Sequence, residues 1–196
     1  MKSLILLILS FCLSLPNSFA ADANAKLAQP SPVSVPHYNA LKSDVETLDG
    51  IIAALYQVIS GGVGEMRDWQ RMRSLFIPEA RIMAIFPKPE SSDFNLRILS
   101  LSDYIVNSGP RLIEVGFREQ EIQRKTEQWG ELAQVYSSYQ ALEDKTQTVR
   151  RGINSLQLMH DGKRWWIISL LFEAERAQLP LPEAMTQQKA DGKSKN

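Results

Sequence analysis

Residues 151–172 read RGINSLQLMHDGKRWWIISLLF and carry the clearest structural signal in this chain. Asp161-Gly162 suits a two-residue type I′ turn, because both turn positions need positive φ angles that an Asp-Gly pair adopts readily. The flanking segments are rich in β-branched, aromatic and long aliphatic residues, which favour strands. The stretch therefore predicts a β-hairpin that turns at Asp161 and Gly162.

A two-residue turn also predicts the register of the hairpin, because His160 then faces Lys163 and further pairs follow one residue at a time. The predicted pairs include Leu158 with Trp165, Leu156 with Ile167, Asn154 with Ser169, Arg150 with Glu173, Gln157 with Trp166 and Arg151 with Phe172. Both faces are apolar in the middle, so we expect the sheet to be covered on both sides. Helices are expected on one side and a second subunit on the other, with the tails of the chain as the alternative cover.

The two ends of the chain differ in composition from its middle. Residues 1–20 combine a charge at Lys2, a short apolar run and Ser18-Phe19-Ala20, which is typical of a secretory signal peptide cleaved after Ala20. We therefore expect an exported protein, periplasmic or secreted, with no membrane anchor in the mature chain. Residues 21–40 are predicted to be a flexible leader, 41–176 one folded domain and 177–196 a disordered tail.

Charge and rare residues exclude several classes of function. The chain has 22 Lys and Arg against 22 Asp and Glu, so its balance favours neither nucleic acid nor an anionic membrane as a partner. Cys12 is the only cysteine and lies in the predicted signal, while the two histidines are His37 and His160. No metal site made of cysteine or histidine clusters is expected within one mature chain, and no cofactor motif is present.

Hydrophobic periodicity predicts that helices come first and strands last, which is an α+β arrangement. Ser43 and Glu46 have capping-box spacing for a first helix that Gly61-Gly62 ends. Ser100 or Ser102 can cap a later helix, which we expect Ser108-Gly109-Pro110 to interrupt. The other predicted elements are a helix over Arg67–Phe76 and strands over Ala80–Phe86, Leu96–Leu99, Phe117–Gln128 and Glu131–Ala141.

This order of elements and several short motifs resemble the SnoaL-like branch of the nuclear transport factor two-like superfamily over residues 41–176. The motifs are Leu48-Asp49-Gly50-Ile51-Ile52, Arg67-Asp68-Trp69, Phe76, Arg81, Ser108-Gly109-Pro110, Gly116-Phe117-Arg118-Glu119, Ser138-Tyr139 and the hairpin. The resemblance implies a strongly bent antiparallel sheet around N-terminal helices, a cystatin-like roll that forms a cone with an apolar pocket. It also implies a homodimer through the outer sheet face.

Within that pocket, Glu119 and Tyr139 are the candidate catalytic pair. A desolvated Glu119 would have a raised pKa suited to a general base, and Tyr139 would donate a hydrogen bond to a ligand oxygen. An exposed carboxylate and a packing tyrosine are the alternative interpretations. Asn154 needs a polar partner among apolar neighbours. The candidate ligand-binding residues are Tyr56, Trp69, Arg81, Tyr139, Asn154 and Trp165, and Arg150 or Arg151 is a further candidate for an acidic ligand.

Three functional hypotheses follow. The first is an exported protein that binds a small apolar or amphipathic molecule without a cofactor. The second is a cofactor-independent isomerase, dehydratase or cyclase that uses Glu119 and Tyr139. The third is a dimerisation module whose pocket is filled by its own side chains. The catalytic sets of ketosteroid isomerase and scytalone dehydratase do not carry over, because the predicted strands offer neither an inward aspartate nor an inward histidine.

Overall fold

The computed structural model describes residues 39–186. The predicted signal peptide and most of the predicted leader lie outside these residues. The described part contains four α-helices, six strands and a short 3-10 helix at Glu183–Met185. The elements are α1 (Lys42–Val45), α2 (Leu48–Ile59), α3 (Trp69–Leu75), β1 (Phe76–Pro87), β2 (Phe94–Ser100), α4 (Leu101–Val115), β3 (Phe117–Trp129), β4 (Leu132–Glu143), β5 (Thr148–His160) and β6 (Trp165–Ala174).

The strands form one sheet in the order β2-β1-β6-β5-β4-β3. Four neighbouring pairs are antiparallel, but β1 and β6 are parallel. The α+β class is confirmed, whereas the expectation of a fully antiparallel sheet is wrong for that one pair. No short turn joins β1 to β6, so the connection between them does not impose an antiparallel direction.

The first predicted helix is divided in two. Thr47 lies between α1 and α2, and its hydroxyl accepts a hydrogen bond of 2.9 Å from the backbone N–H of Gly50. The predicted capping box of Ser43 and Glu46 is not formed, because α1 begins after Leu41 and ends at Val45. Thr47 thus supplies the cap that starts the long helix.

Helix α4 begins with the capping box of Ser100 and Asp103. The helix is continuous to Val115, so the interruption predicted at Ser108-Gly109-Pro110 is wrong. Pro110 is exposed, and its missing N–H therefore costs the helix little where water can satisfy the freed carbonyl. No helix among the described residues combines the length and apolarity needed to cross a membrane.

The predicted hairpin is present, but its register differs. The Asp161 carboxylate accepts backbone hydrogen bonds of 2.8 Å from Lys163 and Arg164 and a 2.8 Å bond from the Trp166 indole. These bonds stabilise a four-residue loop, so His160 pairs with Trp165 instead of Lys163. A local asparagine- or aspartate-type turn has replaced the predicted type I′ turn.

A bulge between Gln157 and Leu158 shifts the register further in the half of the hairpin that lies away from the turn. Asn154 faces Phe172, and Gln157 faces Ser169. The predicted pair of Arg150 with Glu173 is therefore wrong. The observed partners of these charged residues are Arg151 with Glu175 and Arg176 with Glu173.

The helices pack on one face of the sheet, which we call the inner face. On β4 this face carries every second residue, Ala133, Val135, Ser137 and Tyr139, all of them buried. They join a core with residues of α2, β5 and β6, including Ile51, Ile52, Leu156, Leu158 and Ile167.

The opposite, outer face is partly covered by residues 175–186. The carbonyl of Met185 accepts a 2.7 Å hydrogen bond from Ser138, and Leu181 is buried. Residues 177–186, part of the predicted tail, include a 3-10 helix and contact the sheet. The apolar side chain of Leu181 and the carboxylate of Glu175, which accepts from the Leu181 N–H at 3.0 Å, explain the attachment.

Candidate functional site

A cavity of about 510 Å³ lies between the helices and the inner face of the sheet. Its walls are mostly apolar, with contributions from Leu55, Ile59, Met72, Ile82, Leu170 and Phe172. Its polar lining comes from Tyr104, Glu119, Tyr139 and Asn154, with Arg111, Glu143 and Arg150 among the charged residues. A volume in this range accommodates a drug-sized molecule.

Glu119 is held in this cavity by the end of α2. The hydroxyl of Ser60, which follows α2, accepts a 2.8 Å hydrogen bond from the backbone N–H of Glu119 and donates one of 2.7 Å to the carbonyl of Tyr56. Because β3 alternates, this attachment places the Glu119 side chain on the inner face together with Phe117 and Glu121. Burial raises the pKa of the Glu119 carboxyl from 4.5 to about 7.

Asn154 provides the hydrogen bond that partly offsets this burial. Its amide Nδ2 donates to Glu119 Oε1 at 3.1 Å and to the hydroxyl of Tyr56 at 3.2 Å. Asn154 is itself buried, which satisfies the expectation that it must find polar partners. The hydrogen bond to Glu119 favours the carboxylate, but desolvation has the larger effect on its pKa.

A chain of hydrogen bonds continues from Tyr56 away from the cavity. Tyr56 and Ser137 Oγ are 2.7 Å apart, and Tyr56 is the donor because the single hydroxyl hydrogen of Ser137 is used in another bond. Ser137 in turn donates to a carboxylate oxygen of Glu121. Arg124 forms two hydrogen bonds with Glu121, of 2.8 and 2.6 Å. This direction of donation fixes the Asn154 amide so that an N–H points at Glu119.

Tyr139 reaches the cavity across β5. A Cβ at Gly152, the residue opposite, would lie 2.5 Å from the Tyr139 hydroxyl oxygen and 2.6 Å from the carbon that bears it. Only glycine leaves room for the ring at that point. Burial raises the pKa of Tyr139, and no hydrogen bond from its hydroxyl is present among residues 39–186. The Tyr139 hydroxyl is therefore a donor available to a bound molecule.

The mouth of the cavity carries charged side chains. Arg111 of α4 forms a salt bridge with Glu143 of β4 at 3.1 Å. Arg150 of β5 lies opposite Ala141 on the same face and is exposed. The cavity thus has an apolar body, a carboxyl group at depth and cations at its opening.

The structure brings some of the predicted site residues together and separates others. Glu119, Tyr139 and Asn154 line the cavity, and Tyr56 contacts it through Asn154. The other three predicted ligand-binding residues, Trp69, Arg81 and Trp165, are not among the residues that line this cavity. Trp69 packs against Gly109 of α4, Arg81 is exposed on β1 and Trp165 is buried beside His160, at 5.2 Å between ring centroids.

Sequence reasoning missed Tyr104 and the polar chain behind Asn154. Tyr104 lies on the cavity side of α4, and burial raises its pKa. Ser137 and Tyr139 are two residues apart on β4 and so lie on the same face. This spacing was the available signal that Ser137 belongs to the polar chain. Among the described residues, no group of three His, Cys, Asp or Glu side chains is arranged to hold a metal ion.

Comparisons with known proteins show the fold alone. No family model and no curated protein matches the sequence. Among solved structures, an NTF2-like family member from Streptomyces avermitilis, assigned as a dehydratase, has a TM-score of 0.51 and 14% identity, over 69% of this chain and 99% of that one. LinA has a TM-score of 0.50 and 7% identity, over 69% and 90% of the two chains.

A protein of unknown function with a cystatin-like fold from Nostoc punctiforme has a TM-score of 0.48 and 9% identity, over 67% of this chain and 96% of that one. The similarity to the Streptomyces avermitilis structure shows that the chain has the nuclear transport factor two-like fold, an α+β roll. A fold of this kind does not by itself specify a reaction.

Proposed function

We propose that this protein binds a small amphipathic molecule in the cavity between its helices and its sheet. The observation that carries the proposal is an open, mostly apolar space of about 510 Å³ into which Glu119, Tyr139 and Asn154 converge. Apolar walls with a few placed polar groups are the usual form of a small-molecule site. The volume argues against the alternative of a pocket filled by the protein's own side chains.

Blocking the cavity tests this proposal. Ala141 is buried on β4 and lines the cavity, so Ala141→Trp places an indole in the binding space. Gln157→Trp, at an exposed position on the outer face of β5, is the matched control. The wild type and the control should show ligand-dependent rises in melting temperature with members of a hydrophobic and amphipathic compound library, and Ala141→Trp should show none.

Native mass spectrometry of the purified protein checks the same point without a chosen library. A co-purifying small molecule should be present in the wild type and the Gln157→Trp control and absent from Ala141→Trp. If no compound shifts the melting temperature and none co-purifies, the protein does not bind small molecules in this cavity. Circular dichroism of each variant establishes that it is folded.

A second candidate function is proton transfer on the bound molecule, as in a cofactor-independent isomerase, dehydratase or cyclase. The observation that favours it is the Glu119 carboxyl, whose pKa of about 7 suits a general base, on the same sheet face as the available Tyr139 hydroxyl. Glu119 would remove a proton from carbon next to a carbonyl group. Tyr139 would donate a hydrogen bond to the oxygen on which negative charge develops.

Deuterium exchange separates this candidate from simple binding. Carbonyl compounds that bind are incubated with the protein in heavy water, and loss of the α-proton signal is followed by NMR. Glu119→Gln should slow the exchange by about a hundredfold or more, the usual contribution of a general base, while exposed Glu127→Gln should leave it unchanged. If bound compounds exchange no faster than without protein, the catalytic candidate is rejected and binding stands.

Export is a further part of the proposal, supported by the signal-like composition of residues 1–20. Expression of the full chain in a bacterial host, followed by fractionation, should place the protein outside the cytoplasm with Ala21 at its N-terminus. A product that retains Met1 in the cytoplasmic fraction would refute this.

A homodimer through the outer sheet face is also proposed. Exposed Leu96 and Ile98 on β2 support it, because the 175–186 segment leaves these apolar residues uncovered. Light scattering after gel filtration should give the mass of a dimer, and Ile98→Lys should give a monomer. A wild-type monomer at micromolar concentration contradicts the proposal.

A further inference from the structure

The charged residues at the cavity mouth are unequally paired. Arg111 is neutralised by Glu143 at 3.1 Å, and Glu143 also accepts from Thr146 at 2.9 Å. Arg150 has no hydrogen-bond or salt-bridge partner among residues 39–186. Within that part of the chain, Arg150 is the cation of the cavity lining that remains free to bind an anion.

The position of Arg150 directs it to a molecule that enters the cavity. Arg150 pairs with Ala141 of β4, next to the pair of Tyr139 with Gly152, and all four residues share the inner side of the sheet. Strand β6 ends opposite Gly152, at Ala174, so no further strand residue covers Arg150 from that side. The guanidinium therefore stands where the apolar wall meets solvent.

The adjacent Arg151, unlike Arg150, is paired with a carboxylate of the protein. Arg151 lies on the outer face, where it forms two hydrogen bonds with Glu175, at 2.8 and 2.9 Å. A planar guanidinium bound to a carboxylate in this way is a strong and geometrically defined interaction. Arg150 offers the same donors without a protein acceptor.

The inner end of the cavity has the opposite character. The inner end contains the carboxyl group of Glu119, together with the neutral amide of Asn154 and the hydroxyl groups of Tyr104 and Tyr139. A ligand anion placed there would meet an acidic group and no cation. An anionic group is therefore favoured at the mouth, and an uncharged or hydrogen-bonding end is favoured inside.

We propose that the cavity takes an amphipathic anion, with its apolar body among Leu55, Ile82, Leu170 and Phe172 and its carboxylate or other oxyanion on Arg150. This inference rests on the proposed binding function and names the chemical class of the ligand. Asn107 and Ser108 of α4 also line the cavity and add polar groups to its lining. Arg150 is thus a specificity residue that selects acids over their neutral analogues.

Two fluorescent probes that differ by one charged group test the inference. Anilinonaphthalene sulfonate carries an apolar body and an oxyanion, and N-phenylnaphthylamine has the same body without the sulfonate. Dissociation constants of both are measured for the wild type, Arg150→Gln and Arg151→Gln. Arg151→Gln is the matched control, because it removes the same charge from the neighbouring residue on the other face.

Arg150→Gln should weaken binding of the sulfonate about tenfold, the effect of losing one hydrogen bond to a charged group, and leave the neutral probe unchanged. Arg151→Gln should bind both probes as the wild type does. If Arg150→Gln retains full sulfonate affinity, or if Arg151→Gln loses it instead, the inference is wrong although the cavity still binds small molecules. If Ala141→Trp binds both probes unchanged, the cavity is not their site, and the proposed function fails together with the inference.

Discussion

Replacing Glu119 by glutamine should make the protein more stable at high pH and leave its stability nearly unchanged at low pH. Glutamine keeps the shape of the side chain and removes its titration. The folded state holds the Glu119 proton up to a pKa of about 7, whereas the unfolded chain releases it near 4.5. Between these values the folded state binds more protons than the unfolded state, so the free energy of unfolding of the wild type falls as pH rises.

The size of this effect follows from the two pKa values. The difference between a pKa of about 7 and one of 4.5 corresponds to about 3 kcal/mol in the free energy of unfolding. The wild type has lost all of this stability by pH 8 and none of it at pH 4. The free energy of unfolding of Glu119→Gln, relative to that of the wild type, should therefore rise by up to about 3 kcal/mol between pH 4 and pH 8. The gain appears across the window from 4.5 to 7, where the carboxyl is neutral in the folded state and charged in the unfolded one.

Urea unfolding of wild type and variant at a series of pH values measures the difference directly, because all other titrating groups cancel between the two proteins. Glu127→Gln, the same substitution at an exposed position on the same strand, is the control. A Glu119→Gln difference that stays constant from pH 4 to pH 8 would show that this carboxyl is not desolvated. The general-base candidate would then lose its physical basis.

Three further substitutions test the architecture around the cavity. Gly152→Ala should collide with the Glu173 carbonyl and displace the Tyr139 ring, which should lower the free energy of unfolding by about 2 kcal/mol and weaken ligand binding, measured by urea unfolding and probe titration. Arg67→Met should lower the free energy of unfolding by about 3 kcal/mol, because this buried guanidinium donates to carbonyls near the ends of α2 and α4. An unchanged urea midpoint would contradict this. Ser137→Ala should lower the free energy of unfolding by about 2 kcal/mol, because the Tyr56 hydroxyl loses its acceptor. A decrease smaller than the error of the measurement would show that water replaces the serine.

Local patterns in the sequence predicted most of the elements. Residues 131–141 were predicted to form a strand, and Ser100 was one of the two serines predicted to cap the helix that is now α4. These features depend on neighbours within a few residues, so a single sequence contains them. The same reasoning failed at Asp161, because two kinds of turn suit Asp-Gly and the side-chain bonds of this aspartate selected the longer loop.

The composition of the site could be predicted only in part. Glu119 and Tyr139 were chosen as a carboxyl and a hydroxyl group in predicted strands, and Asn154 as an amide among apolar neighbours; all three line the cavity. Trp69 and Trp165 were chosen for size and aromaticity, properties that do not distinguish a core residue from a cavity wall. Their separation from the cavity follows from packing against α4 and His160, which local sequence does not encode.

The sequence by itself determined that a hairpin turns around Asp161-Gly162 and that side chains alternate between the two faces of each strand, because both depend on the backbone preferences of adjacent residues. Tertiary structure alone decided the parallel pairing of β1 with β6 and the position of residues 175–186 on the outer face. It also decided the raised pKa of Glu119, since the desolvation depends on packing against α2 and β5, which are distant from Glu119 in the chain. Chemistry at this site therefore arises from burial, a property that only the assembled fold possesses.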